Sequence, residues 1–108
     1  TLECGGNGSN PGFMGACGNL RWTGTPLAPL LRELGLLKRS REVVFYGADE
    51  KVEKIREKDY RQNFARSLAL DDALDERILL AWAHNGDPLM PIHGFPLRLV
   101  VPGWFGIA

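Results

Sequence analysis

Pro91-Ile92-His93-Gly94-Phe95-Pro96-Leu97-Arg98-Leu99-Val100-Val101-Pro102-Gly103-Trp104 is too rich in proline to form a helix, because each ring removes a backbone N–H and fixes φ. Residues 97–101 have strand composition, and Pro96 and Pro102 keep that strand short. The stretch therefore reads as a stiff ledge. It carries an imidazole, His93, and a guanidinium, Arg98, five residues apart, two groups suited to an anion.

Working back from the ledge, His84-Asn85-Gly86-Asp87 is a hairpin turn, since Asn-Gly favours the type I′ geometry. Residues 78–83 (Ile-Leu-Leu-Ala-Trp-Ala) form an apolar strand candidate before it. Ser67 precedes a segment in which Asp71 or Asp72 favours the N-terminal half of a short helix. Residues 42–46 read as a buried strand ending at Gly47-Ala48-Asp49, followed by a charged, exposed segment, 50–61, with one or two irregular helical turns. Thr25 is the expected cap of a helix with Pro26 at its first position, Leu27, Leu30, Leu31 and Leu34 at helical spacing, and Gly35 as terminator. Residues 19–24 return as a short extended piece, and residues 5–19 are a loop dense in turn formers. The expected fold class is α+β, a mixed β-sheet with short helices and long loops. The helix between the strands near Trp22 and Val43 allows one crossover.

A chain of 108 residues is about one small domain. Lys+Arg and Asp+Glu both total 13, which gives no electrostatic case for nucleic acid or an anionic membrane surface. No apolar run approaches the roughly 20 residues of a membrane span, and no targeting motif appears. The chain opens on strand-like Thr1-Leu2-Glu3-Cys4 and closes on Trp104-Phe105-Gly106-Ile107-Ala108. Both ends read as cut from a longer protein, so residues 1–108 are expected to be part of a larger domain. The two cysteines, Cys4 and Cys17, flank a glycine-rich loop and are weak evidence for a disulfide.

Four residues offer chemistry. Cys4, at a strand end facing glycines, is a soft metal ligand, a nucleophile or a half-buried small hydrophobe. His93 is placed by Gly94 and Pro96, either as a site residue or as a satisfied loop histidine. Arg98 interrupts an apolar strand, where a charge needs a partner; a carboxylate such as Asp49 or a bound phosphate would serve. Asp49 caps a turn or accepts hydrogen bonds from a heterocycle. His84, in the turn beside Asn85, reads as solvated and is given no role. Trp22, Trp82 and Trp104 read as core or cleft-wall residues. Gly5-Gly6-Asn7-Gly8 lacks the Gly-Lys-Ser/Thr of a phosphate-binding loop.

Taken in order, Thr1-Leu2-Glu3-Cys4-Gly5-Gly6-Asn7-Gly8, Gly18-Asn19-Leu20-Arg21-Trp22-Thr23-Gly24-Thr25-Pro26-Leu27, Gly47-Ala48-Asp49, Phe64-Ala65-Arg66-Ser67, Asn85-Gly86-Asp87-Pro88-Leu89, His93-Gly94-Phe95-Pro96-Leu97-Arg98 and Val101-Pro102-Gly103-Trp104 cover most of the chain. Together they resemble the molybdopterin-binding catalytic domain of the sulfite oxidase family. The resemblance implies that fold, a molybdenum–molybdopterin cofactor, Cys4 as catalytic thiolate ligand to the metal, and Asp49, His93 and Arg98 as cofactor-binding residues. It also implies oxygen-atom transfer to or from a small sulfur-containing or related substrate, with electrons leaving to a haem or cytochrome partner. Tyr60 or Arg66 is a candidate for the substrate mouth. Sulfite-oxidising members carry arginine just after Cys-x-Gly-Asn; here Gly8 and Ser9 follow, which counts against sulfite. Bacterial relatives suggest the periplasm, with the cytoplasm as alternative, and a dimer for the full-length protein. Two other classes compete: a noncatalytic anion-binding module, and a thiol enzyme pairing Cys4 with His93.

Overall fold

In a computed structural model, described for residues 1–8 and 10–106, one strand organises most of the pairing. Strand β6 (Leu79–His84) pairs with β3 (Trp22–Pro26), and also with β7 (Asp87–Pro88) and β8 (Arg98–Val100). Two further sheets are two-stranded: β1 (Leu2–Glu3) with β2 (Cys17–Gly18), and β4 (Glu42–Ile55) with β5 (Lys58–Ala69). Two α-helices, α1 (Leu27–Leu34) and α2 (Leu70–Ala73), complete the α+β architecture with a 3-10 turn at Pro91–His93. Every strand pair among the described residues is antiparallel, and β3 and β4 lie in different sheets. Helix α1 therefore links two sheets instead of making the expected crossover within one.

The core forms where these pieces meet. Leu27, Leu68, Ala73 and Ile78 are buried, with Leu31, Val43, Phe45, Leu80, Leu99 and Val101 packed against them. Burying a leucine or isoleucine contributes about 1.5–3 kcal/mol. Helix α1 buries only Leu27 and Ala28, while Leu34 is 75% exposed.

Thr25 does not cap that helix. It stays in β3, paired with Leu80, and Pro26 is the capping position without a side-chain cap bond. The Leu27 N–H instead donates to the Ile78 carbonyl at 2.9 Å. A neighbouring backbone thus satisfies one of the helix's orphan donors. Gly35 does end the helix, at φ +87°. Gly24 marks a register shift between β3 and β6, where a Cβ would lie 2.7 Å from the Ala81 Cα.

The larger correction concerns residues 42–69. The strand does not stop at Gly47, and the charged segment holds no helical turn: β4 runs on to Ile55 and returns as β5, making a long ribbon. Arg56 and Glu57 form its turn at φ +49° and +65°. Left-handed backbone is uncommon for such residues. A bulge between Tyr46 and Glu50 interrupts the register, and the Asn63 amide stitches it by donating to the carbonyls of Gly47 and Asp49 at 3.1 and 3.2 Å. Tyr46, Val52, Ile55 and Tyr60 are exposed, among ion pairs Lys51–Glu53, Lys54–Glu57 and Arg61–Glu50. Ser67 stays in β5 opposite Val44, and Asp71 and Asp72 occupy the first turn of α2 as expected.

The turn into β6 is pinned by Asp75. Its carboxylate accepts from the backbone N–H, Nε and Nη2 of Arg77, with the shortest bond 2.7 Å. These bonds hold the Asp75 carboxyl below the usual carboxylate range, at about 2.

Two outcomes follow for the whole protein in urea. Ile78→Ala is expected to cost about 2–5 kcal/mol, whereas Leu34→Ala stays within about 0.5 kcal/mol. Asp75 has a depressed folded-state pKa, so its contribution is present above 3.8 and is lost as pH falls toward about 2. The gap in urea midpoint between wild type and Asp75→Ala should close across that window. It should also shrink with salt at neutral pH, because the pair is exposed.

Candidate functional site

Strand β1 ends at Glu3, and the loop after it folds back over Cys4. The Cys4 N–H donates to the Ala16 carbonyl at 2.9 Å, and the Asn7 N–H donates to the Cys4 carbonyl at 3.0 Å. Asn7 locks the loop: its Oδ1 accepts from the Ala16 N–H at 3.1 Å and its Nδ2 donates to Glu3 Oε1 at 3.0 Å. The Gly6 N–H donates to Cys4 Sγ at 3.4 Å. A half-buried sulfur is thereby held over a glycine turn. Both cysteines are free thiols.

The second contributor arrives from the other end of the chain. The proline-bounded ledge forms the 3-10 turn and then β8, with Gly94 between them at φ +96°. A Cβ on Gly94 would stand 2.9 Å from the Arg98 Cβ, so this glycine permits a close approach to the arginine stem. Arg98 Nη1 donates to the His93 carbonyl at 3.2 Å, and its guanidinium lies 5.1 Å from the Trp22 ring centroid. Such a cation–π contact is worth about 0.5–2 kcal/mol. Desolvation lowers the pKa of this half-buried arginine. An anion beside it would offset that cost.

Trp22 also touches His84 edge-on, with ring centroids 6.0 Å apart, and His84 touches His93 at 5.1 Å. His84 Nε2 lies 3.2 Å from His93 Nδ1. Trp22, His84, His93 and Arg98 therefore close a ring of contacts. Beside it is a cleft of about 400 Å³ lined by Cys4, Cys17, Trp22, His93 and Arg98, with Leu2, Leu20 and the small residues Ala16, Gly18 and Gly106.

The cleft unites three of the four residues singled out in the sequence: Cys4, His93 and Arg98. Asp49 stands elsewhere, exposed on the bulge of the β4–β5 ribbon. Tyr60 and Arg66 are exposed on β5, with Arg66 lying over the Phe64 ring at 4.2 Å. Ser9 falls outside the described residues. His84 is the residue missed by the sequence reading. It is half-buried between Trp22 and His93 instead of solvated. A signal existed: the turn has two residues, Asn85 and Gly86 at φ +51° and +92°, which leaves His84 as the last strand residue, opposite Trp22.

The chain belongs to the oxidoreductase molybdopterin binding domain family, whose model matches residues 1–108. The cofactor of this domain is accordingly a molybdenum–pterin. Nitrate reductase [NADH] 2 of Phaseolus vulgaris is 36% identical over 98% of this chain and 13% of its own length. An inducible nitrate reductase [NADH] of Glycine max is 40% identical over 79% of the chain and 10% of its own. Mitochondrial sulfite oxidase of Drosophila melanogaster is 38% identical over 85% of the chain and 15% of its own. The chain thus spans a small part of each relative.

The close approach at Gly94 gives a direct test. Gly94→Ala and Gly103→Ala both force alanine into left-handed backbone, at φ +96° and +84°, but only the former meets Arg98. Each should lose about 1–2 kcal/mol from backbone strain, and Gly94→Ala should lose measurably more in chemical denaturation.

Proposed function

We propose that this chain is the cofactor-holding part of a molybdenum-dependent oxidoreductase. The reaction is oxygen-atom transfer to or from a small sulfur-containing or related substrate, with electrons passed to a haem or cytochrome partner. The observation that carries the reading is the convergence of Cys4, His93 and Arg98 on one cleft from opposite ends of the sequence.

The donor set fits the group. A thiol sulfur is a soft ligand suited to molybdenum. A guanidinium recognises phosphate through paired N–H donors. When bound, the molybdenum–pterin supplies the two-electron redox centre. Cys4 contributes the protein's sulfur ligand, held by the Gly6 N–H and the Asn7 lock. Arg98 binds phosphate while its stem is fixed against Gly94 and its face against Trp22. His93 would offer a ring nitrogen to a polar edge of the cofactor, while Asp49, exposed on the ribbon bulge, lies outside this cleft. The ring from Trp22 to Arg98 keeps water from one side of the guanidinium, which strengthens an ionic contact there.

Two of the named relatives are nitrate reductases and the third is a sulfite oxidase. Gly8 and Ser9 stand where sulfite-oxidising members carry arginine, which counts against sulfite as the substrate. A periplasmic location, with the cytoplasm as alternative, and a dimeric full-length protein belong to the same proposal.

Metal and pterin analysis of the whole protein, expressed with cofactor available, tests the assignment. Wild type should carry about one molybdenum per chain. Cys4→Ala should lose the metal. Arg98→Ala should retain pterin about ten- to a hundredfold less tightly, the loss of one charge-assisted contact. Wild-type protein without molybdenum, or full retention in Cys4→Ala, overturns the reading. Inactivation by iodoacetamide in metal-free protein would instead indicate a thiol enzyme.

A further inference from the structure

His84 has two ring nitrogens in different situations. Nδ1 is buried and has no hydrogen-bond partner among the described residues. Nε2 lies 3.2 Å from Nδ1 of His93. A hydrogen bond between two neutral imidazoles needs one N–H and one bare nitrogen, and each ring carries one proton. Two arrangements meet that condition. In the first, His84 Nε2–H donates to His93 Nδ1, leaving a lone pair on the buried His84 Nδ1 and the His93 proton on Nε2. In the second, His93 Nδ1–H donates, and the His84 proton sits on its buried Nδ1 with no acceptor.

Buried N–H groups without an acceptor are rarer in native proteins than under-used lone pairs. The first arrangement is therefore preferred. Its consequence lies in the cleft, because His93 then carries its proton on the nitrogen that His84 leaves free. The protonated nitrogen of a histidine is set by the hydrogen bond its other nitrogen makes. The rest of His93 is fixed independently, through its carbonyl, by Arg98 Nη1 at 3.2 Å. The ring of His84 packs in turn against Trp22 in a T-shaped contact, at 77° and 6.0 Å.

We propose that His84 is a positioning residue: by donating Nε2–H to His93 Nδ1, it makes His93 an Nε2–H donor toward an oxygen acceptor of the ligand in the cleft. An N–H at that point attracts a phosphate or carbonyl oxygen, and a bare nitrogen there repels it. The proposal rests on the cleft being the pterin site. His84 itself touches no ligand and acts through His93.

The test begins with the whole protein made without cofactor, its histidines labelled with ¹⁵N, at a pH where both rings are neutral. Nitrogen shifts should show His93 protonated at Nε2 and bare at Nδ1. His84→Leu should turn His93 into a mixture of tautomers. His84→Gln, whose side-chain amide can donate from the place of Nε2, should restore the Nε2–H form. A wild-type His93 protonated at Nδ1, or a tautomer unchanged in His84→Leu, overturns the proposal. The wild-type spectrum decides this even if the leucine variant does not fold.

Protein made with cofactor supplies the second readout. Pterin content should fall about tenfold in His84→Leu, the scale of loss when a residue orienting a ligand group is removed, and recover in His84→Gln. Full retention in His84→Leu despite a shifted tautomer overturns the link to the ligand. Arg98→Ala, measured alongside, separates the two readings. If it keeps its pterin, the assignment of the cleft fails while the tautomer of His93 still stands or falls on its own spectrum.

Discussion

Pairing of β6 on both of its edges is the constraint on which the rest depends. β3 runs along one edge, while β7 and β8 share the other. The first edge brings Trp22 opposite His84, and the second brings Arg98 opposite Ala81. A strand slip of one residue would send each side chain to the other face, so the ring through Trp22, His84, His93 and Arg98 exists only in this register. Gly24 protects the register where β3 shifts, because its backbone neighbours leave no room for a Cβ. Core and site share the same strand: Leu80 packs on the core cluster, and His84 at its end holds the cleft wall.

The site joins two kinds of local order. Around Cys4 it is backbone order, made by a glycine turn and an asparagine that bonds both neighbouring strand and loop. Around Arg98 it is side-chain order, made by an aromatic face, a carbonyl and the absence of a Cβ at Gly94. The thiol therefore sits on main-chain hydrogen bonds and the cation on packing. Neither half requires a long element. Short strands and a single turn of 3-10 helix suffice because the contacts between them are fixed by β6.

Features with local chemistry were legible in the sequence. The Asn85-Gly86 turn, the proline-bounded strand, the helix end at Gly35 and the glycine loop after Cys4 all depend on residues within a few positions of one another. Features set by partners far along the chain were not. Thr25 looked like a cap because the sequence does not reveal that Ile78 supplies the acceptor for the first helical N–H. The ribbon was hidden because its turn uses Arg56 and Glu57, residues with no turn preference, and its charges resemble a solvated helix face. His84 was passed over because its partners are Trp22 and His93, and only the strand pairing brings the first of them near.

That ribbon has a consequence for how the molecule behaves among its own copies. Among the described residues β4 and β5 pair only with each other, so within this stretch each presents an outer edge of backbone donors and acceptors. Open edges flanked by exposed Val52, Ile55 and Tyr60 invite strand addition from a neighbour. Lys51, Glu53, Lys54, Glu57 and Arg61 set alternating charges along the same stretch, and an incoming edge would have to bury or displace them. Such charges disfavour edge-to-edge pairing, and their cost here is a sequence that looks like a helix.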